Sequence, residues 1–495
     1  MIEPLEELGA VGAELGRRAR AAGVMLIWRA QSRRVQRVMV RRGKPESTTA
    51  SSTAGHGMQV VTPEGRTALA SRDDLRGDEA LSLFQRITEV AAQGERLGLE
   101  AGELPVLDVL RDRKLPPQTA EFERIRLDEA ARRLAELESE ILARVPNTQV
   151  SVSYRAELDA WRIFRTDGTD VLFAMPRCSL SAHATSEGEG QRHGVAASVF
   201  SPSPQLPWSE PDVARFLRRA EQAARLARDL PQASSHPAGS FPLVIDYALA
   251  KGLAHEAFGH AAEADGFRSS VLARDGRFRV GDVVGAEHVS IIDEPLVGDH
   301  AWQPYSSNGV VRERATLVER GRLVDGLADI WSAGPGGVRL TGAGRCESFH
   351  HAPQARMSNI RIEVADPLPA PGAFEDYGPE EVRDLLASEG VLDRHPRVVF
   401  LSGYSGGQVN PTTGDFVFNC KAIYVLSRHG VTFHKPAIFS GSMFSALHAV
   451  REAFGPLLLD ALGYCGKWGQ SVPSSGGSHY FLMLEPDPKV RLGGA

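Results

Sequence analysis

Residues 239–265 read GSFPLVIDYALAKGLAHEAFGHAAEAD. The apolar spacing from Asp246 onwards predicts a helix. On this helix, His255, Glu256 and His260 place two imidazoles and a carboxylate close together in sequence. Metal-dependent hydrolases use these groups on one helix, two histidines as metal ligands and a glutamate as the base. The alternative is two unrelated polar positions on an amphipathic helix.

The spacing of the two histidines decides between these interpretations. Residues five apart lie ~140° apart around an ideal helix, so a regular helix could not bind one metal through both His255 and His260. A π-bulge would bring them together, and so would a helix that loosens at Gly259. The sequence therefore predicts an irregular helix if the metal site exists.

A catalytic zinc ion normally has three protein ligands and one open position, so a third ligand is needed. Glu263 and Asp265 follow the histidines and could bind directly, although carboxylates beside metal-bound histidines more often orient the imidazole ring. Cys465, in the Gly-rich string GYCGKWGQSVP, is the better candidate. A lone cysteine is usually a small buried apolar residue, however, and the sequence alone does not bring Cys465 to the histidines.

The segment PQASSHPAGSFP, rich in Pro, Ser and Gly, precedes this helix and predicts a domain boundary. We expect an N-terminal α+β region over residues 1–236, either undivided or split near 110–145, and a C-terminal domain over 237–495. The C-terminal part has one helix followed by short strands and glycine turns. The predicted fold class is α+β, with long helices in the N-terminal region and a mostly antiparallel β domain that carries the catalytic helix.

The N-terminal region alternates between strand and helix signals. Strands are predicted in VMLIWRA and VQRVMVRR, then a Ser/Thr/Gly loop, then a strand pair around the turn in MQVVTPEGRTALAS. The Thr-Asp-Gly-Thr turn at 166–169 predicts a hairpin. Helices are predicted over 78–97, 119–144 and 211–230.

Composition limits the class of protein. The chain has 495 residues, 42% of them apolar and 24% charged, as expected of a soluble globular protein of two or three domains. A net charge of −6 argues against a nucleic-acid partner, and the basic run in SRRVQRVMVRRGK is interpreted as a solvated strand face. The four cysteines lack CxxC spacing and the N-terminus lacks a secretory pattern, which favours the cytoplasm. The apolar stretches are too short to predict a membrane span.

Four strings resemble successive landmarks of TldD proteins, of the TldD/PmbA family, and they occur in the family's order. They are residues 239–265, RCESFHHAPQARMSNIRI at 345–362, the segment 403–442 that begins GYSGGQVNPTTGDFVFNCKAIYVLS, and GYCGKWGQSVP at 463–473. The resemblance implies that His255, His260 and Cys465 bind one divalent metal, zinc or alternatively iron, with Glu256 as the catalytic base. It identifies the chain with the metal-bearing member rather than the PmbA/TldE member, which typically lacks these ligands.

The resemblance also implies a function and a partner. We expect a metallopeptidase that cleaves short or unfolded peptides, in protein turnover or in removing the leader of a modified natural-product peptide. We expect a dimer, either with a metal-less TldE/PmbA-like paralogue or with itself, that encloses the site. The peptide would bind as an added strand, and GDFVFNCKAIYVLS is a candidate sheet edge. The alternative is a non-catalytic scaffold or binding subunit of such a complex.

Two other patterns carry less weight. Cys346, His350 and His351 could form a second metal site, but adjacent polar residues on a loop are more often surface or site lining. No GxGxxG or P-loop string is present in the sequence, which argues against nucleotide binding.

Overall fold

The computed structural model describes residues 2–97, 105–188 and 191–493, which build two large β-sheets. The helices of the N-terminal half are α1 (Glu3–Glu6), α2 (Gly9–Ala21), α3 (Gly77–Ala91), α4 (Leu127–Arg144) and α5 (Glu210–Asp229), with 3₁₀ helices at Pro117–Arg124, Leu206–Trp208 and Leu230–Gln232. Its strands are β1 (Met25–Arg41), β2 (Lys44–Val61), β3 (Arg66–Arg72), β4 (Glu95–Arg96), β5 (Arg111–Lys114), β6 (Gln149–Arg165), β7 (Asp170–Gly188) and β8 (Gln191–Ser201).

These strands form the first sheet, in the order β4-β3-β2-β1-β6-β7-β5, with β8 also paired to β7. The pairs are antiparallel except β5 with β7. The predicted hairpin at 166–169 is confirmed, because β6 ends and β7 begins on either side of it and Gly168 has a φ of +102°. Helices α2, α3, α4 and α5 pack against the sheet around a core that includes Trp28, Leu134 and Phe216.

The Ser/Thr-rich segment after Arg42 is a strand, and the predicted loop was wrong. Strand β2 pairs with β1 from Thr48 opposite Val38 to Ala54 opposite Ser32, and β1 is one continuous strand where two were predicted. Most of the first half of β2 is exposed, so it lacks the apolar alternation that marks a half-buried strand. Its backbone hydrogen bonds to β1 do not depend on that alternation.

Two predicted helices have different bounds in the structure. Helix α4 begins at Leu127 rather than Thr119, because Pro117–Arg124 forms a separate 3₁₀ helix and the acidic pair Asp128 and Glu129 opens the α-helix. Acidic side chains in a first turn interact favourably with the helix dipole. Helix α3 ends at Ala91, before the predicted end at residue 97. Helix α5 agrees with its prediction within one residue.

The described residues of the C-terminal half form one sheet of 13 strands and two small two-stranded sheets. Its strands are β9 (Leu243–Asp246), β10 (Ala273–Arg274), β11 (Arg277–Phe278), β12 (Val289–Glu294), β13 (Ala315–Glu319), β14 (Arg322–Leu323), β15 (Gly344–Arg345), β16 (Gln354–Ala355), β17 (Asn359–Val364), β18 (Val398–Asn410), β19 (Asp415–Ser427), β20 (Gly430–His434), β21 (Ile438–Ser442), β22 (Val450–Leu458), β23 (Gly463–Lys467), β24 (Gln470–Leu484) and β25 (Val490–Leu492). Its α-helices are α6 (Tyr247–Gly252), α7 (Ala333–Gly336), α8 (Pro379–Ser388), α9 (Val391–Arg394) and α10 (Met443–Ala449). A π-helical turn covers Leu253–Gly259, and 3₁₀ helices cover His260–Ala262, Ala264–Gly266 and Phe374–Asp376.

The order in the large sheet is β14-β13-β12-β17-β24-β9-β18-β19-β21-β25, with β20 paired to β19 and with β22 and β23 paired to β24. Only β17 with β24 and β9 with β18 are parallel among the described pairs. The α+β class with a mostly antiparallel C-terminal part is therefore confirmed.

The sheet edge proposed at GDFVFNCKAIYVLS was wrong. Strand β19 pairs with β18 on one side and with β20 and β21 on the other, so most of its backbone groups are already paired. Strand β23, in contrast, pairs only with β24 among the described residues. The outer edge of β23 is exposed at Tyr464 and Gly466, and a Cβ placed at Gly466 would meet no atom within 4 Å.

The two halves contact each other through a shared apolar cluster. Trp161 and Phe173 of the first sheet pack with Tyr305 and Phe349 from the C-terminal half. A Cβ at Gly57 would lie 1.9 Å from the carbonyl oxygen of Phe349, so this close approach requires glycine. The boundary near residue 237 remains a prediction. None of the described helices is long and apolar enough to cross a membrane.

Candidate active site

The two histidines come together through a local change of helix type. Helix α6 passes into the π-helical turn Leu253–Gly259, where the His260 N–H donates to the carbonyl oxygen of His255. That bond joins residues five apart, so the rings meet with centroids 5.2 Å apart and planes at 90°. Of the two irregularities that the spacing allowed, the π-bulge is the one present.

Gly259 serves packing rather than loosening of the helix. Its φ and ψ of −57° and −47° are helical. A Cβ at Gly259 would lie 2.0 Å from the Met357 sulfur and 3.0 Å from Cδ1 of Ile360 on β17, so a larger residue would have to displace these side chains.

Cys465 reaches the histidines from a hairpin far along the chain. It lies on β23, which returns as β24 through the two-residue turn Trp468-Gly469. Both turn residues have positive φ, 46° and 77°, as a tight hairpin requires. The Cys465 sulfur lies 3.6 Å from Nε2 of His260. One ligand atom from each of His255, His260 and Cys465 lies within 4.8 Å of the others.

Glu256 lies beside this group without being enclosed by it. Its Oε2 is 3.7 Å from Nε2 of His260, and its side chain is 20% exposed, so it can reach a solvent molecule at the site. The Tyr404 hydroxyl donates to Oε1 of Glu256 over 3.2 Å. Tyr404 lies where β18 bulges, between Gly403 and Gly406, whose φ angles are +69° and +112°.

Glu263 and Asp265 occupy different places around the histidines. Oε2 of Glu263 is 3.0 Å from Nδ1 of His260 and 2.9 Å from Nζ of Lys467. Burial by itself raises the pKa of Glu263, but Lys467 and His260 lower it to about 2, so the carboxylate is ionised. Asp265 accepts from Lys467 over 2.6 Å and from the Ala355 N–H over 3.1 Å. Glu263 is thus positioned to orient the ring, whereas Asp265 acts on Lys467.

The charges around the cluster favour the metal-binding forms of His255 and Cys465. Burial lowers the pKa of His260, but Glu263 and Cys465 raise it well above its ordinary value overall, so a metal that binds there displaces a proton. Burial, with added repulsion from Lys251 and His260, holds the pKa of His255 well below its ordinary value, so this imidazole is neutral. Burial would raise the pKa of the Cys465 thiol, but His260 lowers it overall and favours the thiolate. Nδ1 of His255 is buried and has no hydrogen-bond partner among the described residues. Two imidazoles and a thiolate around a shared space suit zinc.

Several residues at the site were not identified from the sequence. Tyr404 could have been suspected from GYSGGQ, because glycines around a tyrosine in a strand indicate a bulge. Lys467 and Arg356 gave no signal, since their partners are distant in sequence. The buried Arg356 donates to the carbonyl oxygen of Cys465 and so holds β23 in place.

The second metal site considered at RCESFHH does not assemble. Among the described residues, the ligand cluster at His255 is the only one found. His350 instead contacts Ser71 and Asp73, with its ring nitrogens 2.9 and 3.0 Å from them. Nδ1 of His351 lies 2.9 Å from the Ser348 hydroxyl.

Comparisons with known proteins place this site in a family. Residues 238–457 match the profile described as the PmbA/TldA metallopeptidase C-terminal domain, and residues 120–230 match the corresponding central domain. A metalloprotease of Methanocaldococcus jannaschii is 33% identical over 266 residues, which are 53% of this chain and 53% of that protein. A Haemophilus influenzae protein named metalloprotease TldD homolog is 29% identical over 334 residues, 66% of this chain and 64% of that protein. The matches thus span between about half and two thirds of these relatives.

The fold also has a solved counterpart. The crystal structure of TldE from Thermococcus kodakarensis superposes with a TM-score of 0.75 over 98% of this chain and all of that one, at 14% identity. That likeness concerns the fold alone. The two profile matches together cover most of the chain and include both histidines and the glutamate of the site. The chain belongs to the PmbA/TldD metallopeptidase family.

Proposed function

We propose that this protein is a metal-dependent peptidase whose metal ligands are His255, His260 and Cys465 and whose catalytic base is Glu256. The observation that carries the proposal is the π-helical turn, which brings both histidines to the cysteine while Glu256 remains beside them and partly exposed. The names of the two curated relatives support the same class of activity.

The ligand set favours zinc, with iron as the alternative. A bound divalent ion supplies Lewis acidity, which polarises the scissile carbonyl and lowers the pKa of a bound water toward ~7. Three protein ligands leave one coordination position for that chemistry. Structural zinc sites more often have four Cys or His ligands, which is why a three-ligand site with an adjacent glutamate favours catalysis over a scaffold role.

Glu256 takes the proton of the attacking water and returns it to the amine that leaves. Tyr404 donates to one carboxylate oxygen and so fixes which oxygen faces the site. Glu263, ionised and paired with Lys467, accepts from Nδ1 of His260 and keeps Nε2 directed toward the cysteine.

The substrate we propose is a short or unfolded peptide that lies along the outer edge of β23. Main-chain hydrogen bonds to an added strand provide affinity that tolerates many sequences. The edge is exposed at Tyr464 and Gly466, and Cys465 lies between them, so a peptide there passes beside the ligand cluster. Either protein turnover or leader removal from a modified peptide uses such a substrate.

We further propose that the protein acts in the cytoplasm as a dimer. Its partner is a metal-less TldE/PmbA-like paralogue or a second copy of this chain. A fold shared with TldE over nearly the whole chain supports a pairing of related subunits. The competing proposal is that the protein is a non-catalytic subunit of such a complex. Peptide hydrolysis by the native protein distinguishes the two proposals.

The test compares hydrolysis of an unstructured peptide by the native protein and by Glu256→Gln, with any paralogue encoded beside it supplied in both assays. The variant should keep its metal and lose turnover at least ~100-fold. Glu287→Gln, the same change at a carboxylate 81% exposed and paired with Arg320, is the matched control and should keep full activity. Equal turnover by Glu256→Gln would contradict the proposed base, and an inactive native protein with full metal would favour the scaffold.

A further inference from the structure

A cavity of about 290 Å³ lies between the first sheet and the residues beside β23. Arg155, Arg177 and Ser179 line it from the sheet, and His300 and Tyr464 line it from the C-terminal half. The ring of His300 packs edge-on against Tyr464, with centroids 5.4 Å apart. The cavity is thus walled by residues of both halves, next to the strand that carries Cys465.

One face of the first sheet brings arginines together at this cavity. Arg37 of β1 lies opposite Arg155 of β6, and Arg177 of β7 lies opposite Glu157 of β6. Residues directly opposite each other in an antiparallel pair point to the same face. Arg33 shares that face, because its Nε donates to Glu157 over 3.0 Å. Alternate members of the basic run noted in the sequence therefore lie on the sheet face that carries this cavity.

The acids on this face do not balance the arginines. The buried Glu157 contacts Arg33 at 3.0 Å, Arg155 at 2.5 Å and Arg177 at 3.6 Å. Burial alone would raise the pKa of Glu157, but these arginines lower it to about 2, so it contributes one full negative charge. Burial raises the pKa of Asp159, the next acid on the strand, which disfavours its charged form. Three guanidinium groups thus face two carboxylates, so a positive charge remains on this face even with both acids ionised.

The guanidinium groups of Arg155 and Arg177 can still interact with a ligand. Arg177 is 5% exposed, and its Nη1 makes no hydrogen bond within the described part of the chain, with Glu157 3.6 Å and Asp159 3.9 Å away. The Arg155 side chain is 35% exposed, so its guanidinium can meet a ligand directly while Arg177 adds charge from below. A guanidinium with open donors binds carboxylates in preference to neutral groups.

The cavity lies where a substrate strand would place side chains. Side chains on a strand point alternately to its two faces, so Cys465 points to the histidines and Tyr464 to the cavity. A peptide paired with the outer edge of β23 follows the same alternation. Its side chains on the Tyr464 face lie over the cavity and those on the other face lie over the ligand cluster.

We propose that this cavity is a specificity site that binds a carboxylate of the peptide substrate through Arg155, with Arg33 and Arg177 supplying further positive charge. The inference rests on the proposed function, because it takes the substrate to be a peptide at β23. The carboxylate comes either from an acidic side chain or from the C-terminus of the peptide, and both present the same chemistry. Phe200 and Tyr464 on the walls provide apolar contact for the methylenes next to it.

The test measures binding, so it does not depend on turnover. Metal-loaded Glu256→Gln protein is titrated with fluorescent peptides of one unstructured sequence that carry Glu or Gln at each position in turn, with a free or an amidated C-terminus. Peptides with the carboxylate in the cavity should bind about tenfold tighter than their neutral counterparts. If the tighter binding depends on Glu at one position, the carboxylate in the cavity belongs to a side chain. If it depends on the free C-terminus, the carboxylate is that of the C-terminus. Either result supports the site.

Further variants in the same background connect the preference to the cavity. Arg155→Gln should reduce the ratio of the affinities for acidic and neutral peptides to about one. Arg155→Lys keeps the charge and should retain most of this ratio. Arg132→Gln removes an exposed charge from α4, which packs against the sheet elsewhere, and should leave the ratio of affinities unchanged. Equal affinity for acidic and neutral peptides, or no binding of either, would overturn the proposal, as would a preference that survives Arg155→Gln. Hydrolysis by the native protein is scored separately, so failure of the peptidase activity and failure of this site give different results.

Discussion

Oε2 of Glu263 lies 3.0 Å from Nδ1 of His260, on the opposite side of the ring from the Cys465 sulfur. The ionised carboxylate accepts the Nδ1–H, so Nε2, which faces the cysteine, is the ring nitrogen that a metal binds when it displaces the proton there. The contact therefore fixes both the tautomer and the direction of a proposed ligand.

Glu263→Gln should weaken metal binding by about 10- to 100-fold, the usual effect of removing a carboxylate that orients a histidine ligand. Competition with a chelator of known affinity measures this change. Asp265→Asn is the control, since Asp265 contacts Lys467 and not the ring, and a smaller loss is expected. Equal affinities for Glu263→Gln and the native protein would mean that this contact does not position the ligand.

Tyr404→Phe should keep the metal and reduce kcat by about tenfold, because the hydroxyl that orients Glu256 is lost while the ring and its packing remain. Steady-state peptide hydrolysis with metal analysis of the same sample gives both quantities. Tyr424→Phe removes a hydroxyl from the neighbouring strand β19, away from Glu256, and should have no effect. Similar kcat values for the two variants would exclude a positioning role for Tyr404.

Glu157→Gln should destabilise the fold by about 3 kcal/mol near neutral pH, since it leaves buried guanidinium groups without their acid. The pKa of Glu157 is about 2 in the folded protein against an ordinary 4.5, so the folded state holds this proton less tightly than the unfolded chain. Its stabilisation is complete above pH 4.5 and is lost as the pH falls toward 2. Urea unfolding should therefore show a difference between variant and native protein that shrinks below pH 4.5. A difference that grows on acidification would contradict the assignment.

Local patterns predicted the parts of the site that are close in sequence. The five-residue spacing of His255 and His260 required an irregular helix, and the π-helical turn meets that requirement through one backbone hydrogen bond. Glu263, three residues beyond His260, could be suspected for the same reason, because residues this close on a helix can meet.

Contacts between distant segments could not be predicted in this way. Cys465 was a candidate from its Gly-rich string, but only the resemblance to a family connected it with the histidines. Lys467 and Tyr404 depend on how β23 and β18 lie against the π-helical turn. The part of β2 before Met58 escaped prediction because its Ser and Thr side chains are mostly exposed, so no apolar alternation marks it. Sheet pairing there is determined by β1, which supplies the backbone partners.

X-ray absorption at the metal edge of the metal-loaded protein tests the central claim most directly, because it counts ligands by element. With zinc, the account predicts one sulfur at about 2.3 Å and two imidazole nitrogens at about 2.0–2.1 Å, with a remaining position taken by a light atom. Cys465→Ser should lose the sulfur contribution, while Cys420→Ser, a change at another buried cysteine, should keep it. A native spectrum without sulfur, or one that keeps its sulfur in Cys465→Ser, would contradict the proposed metal site.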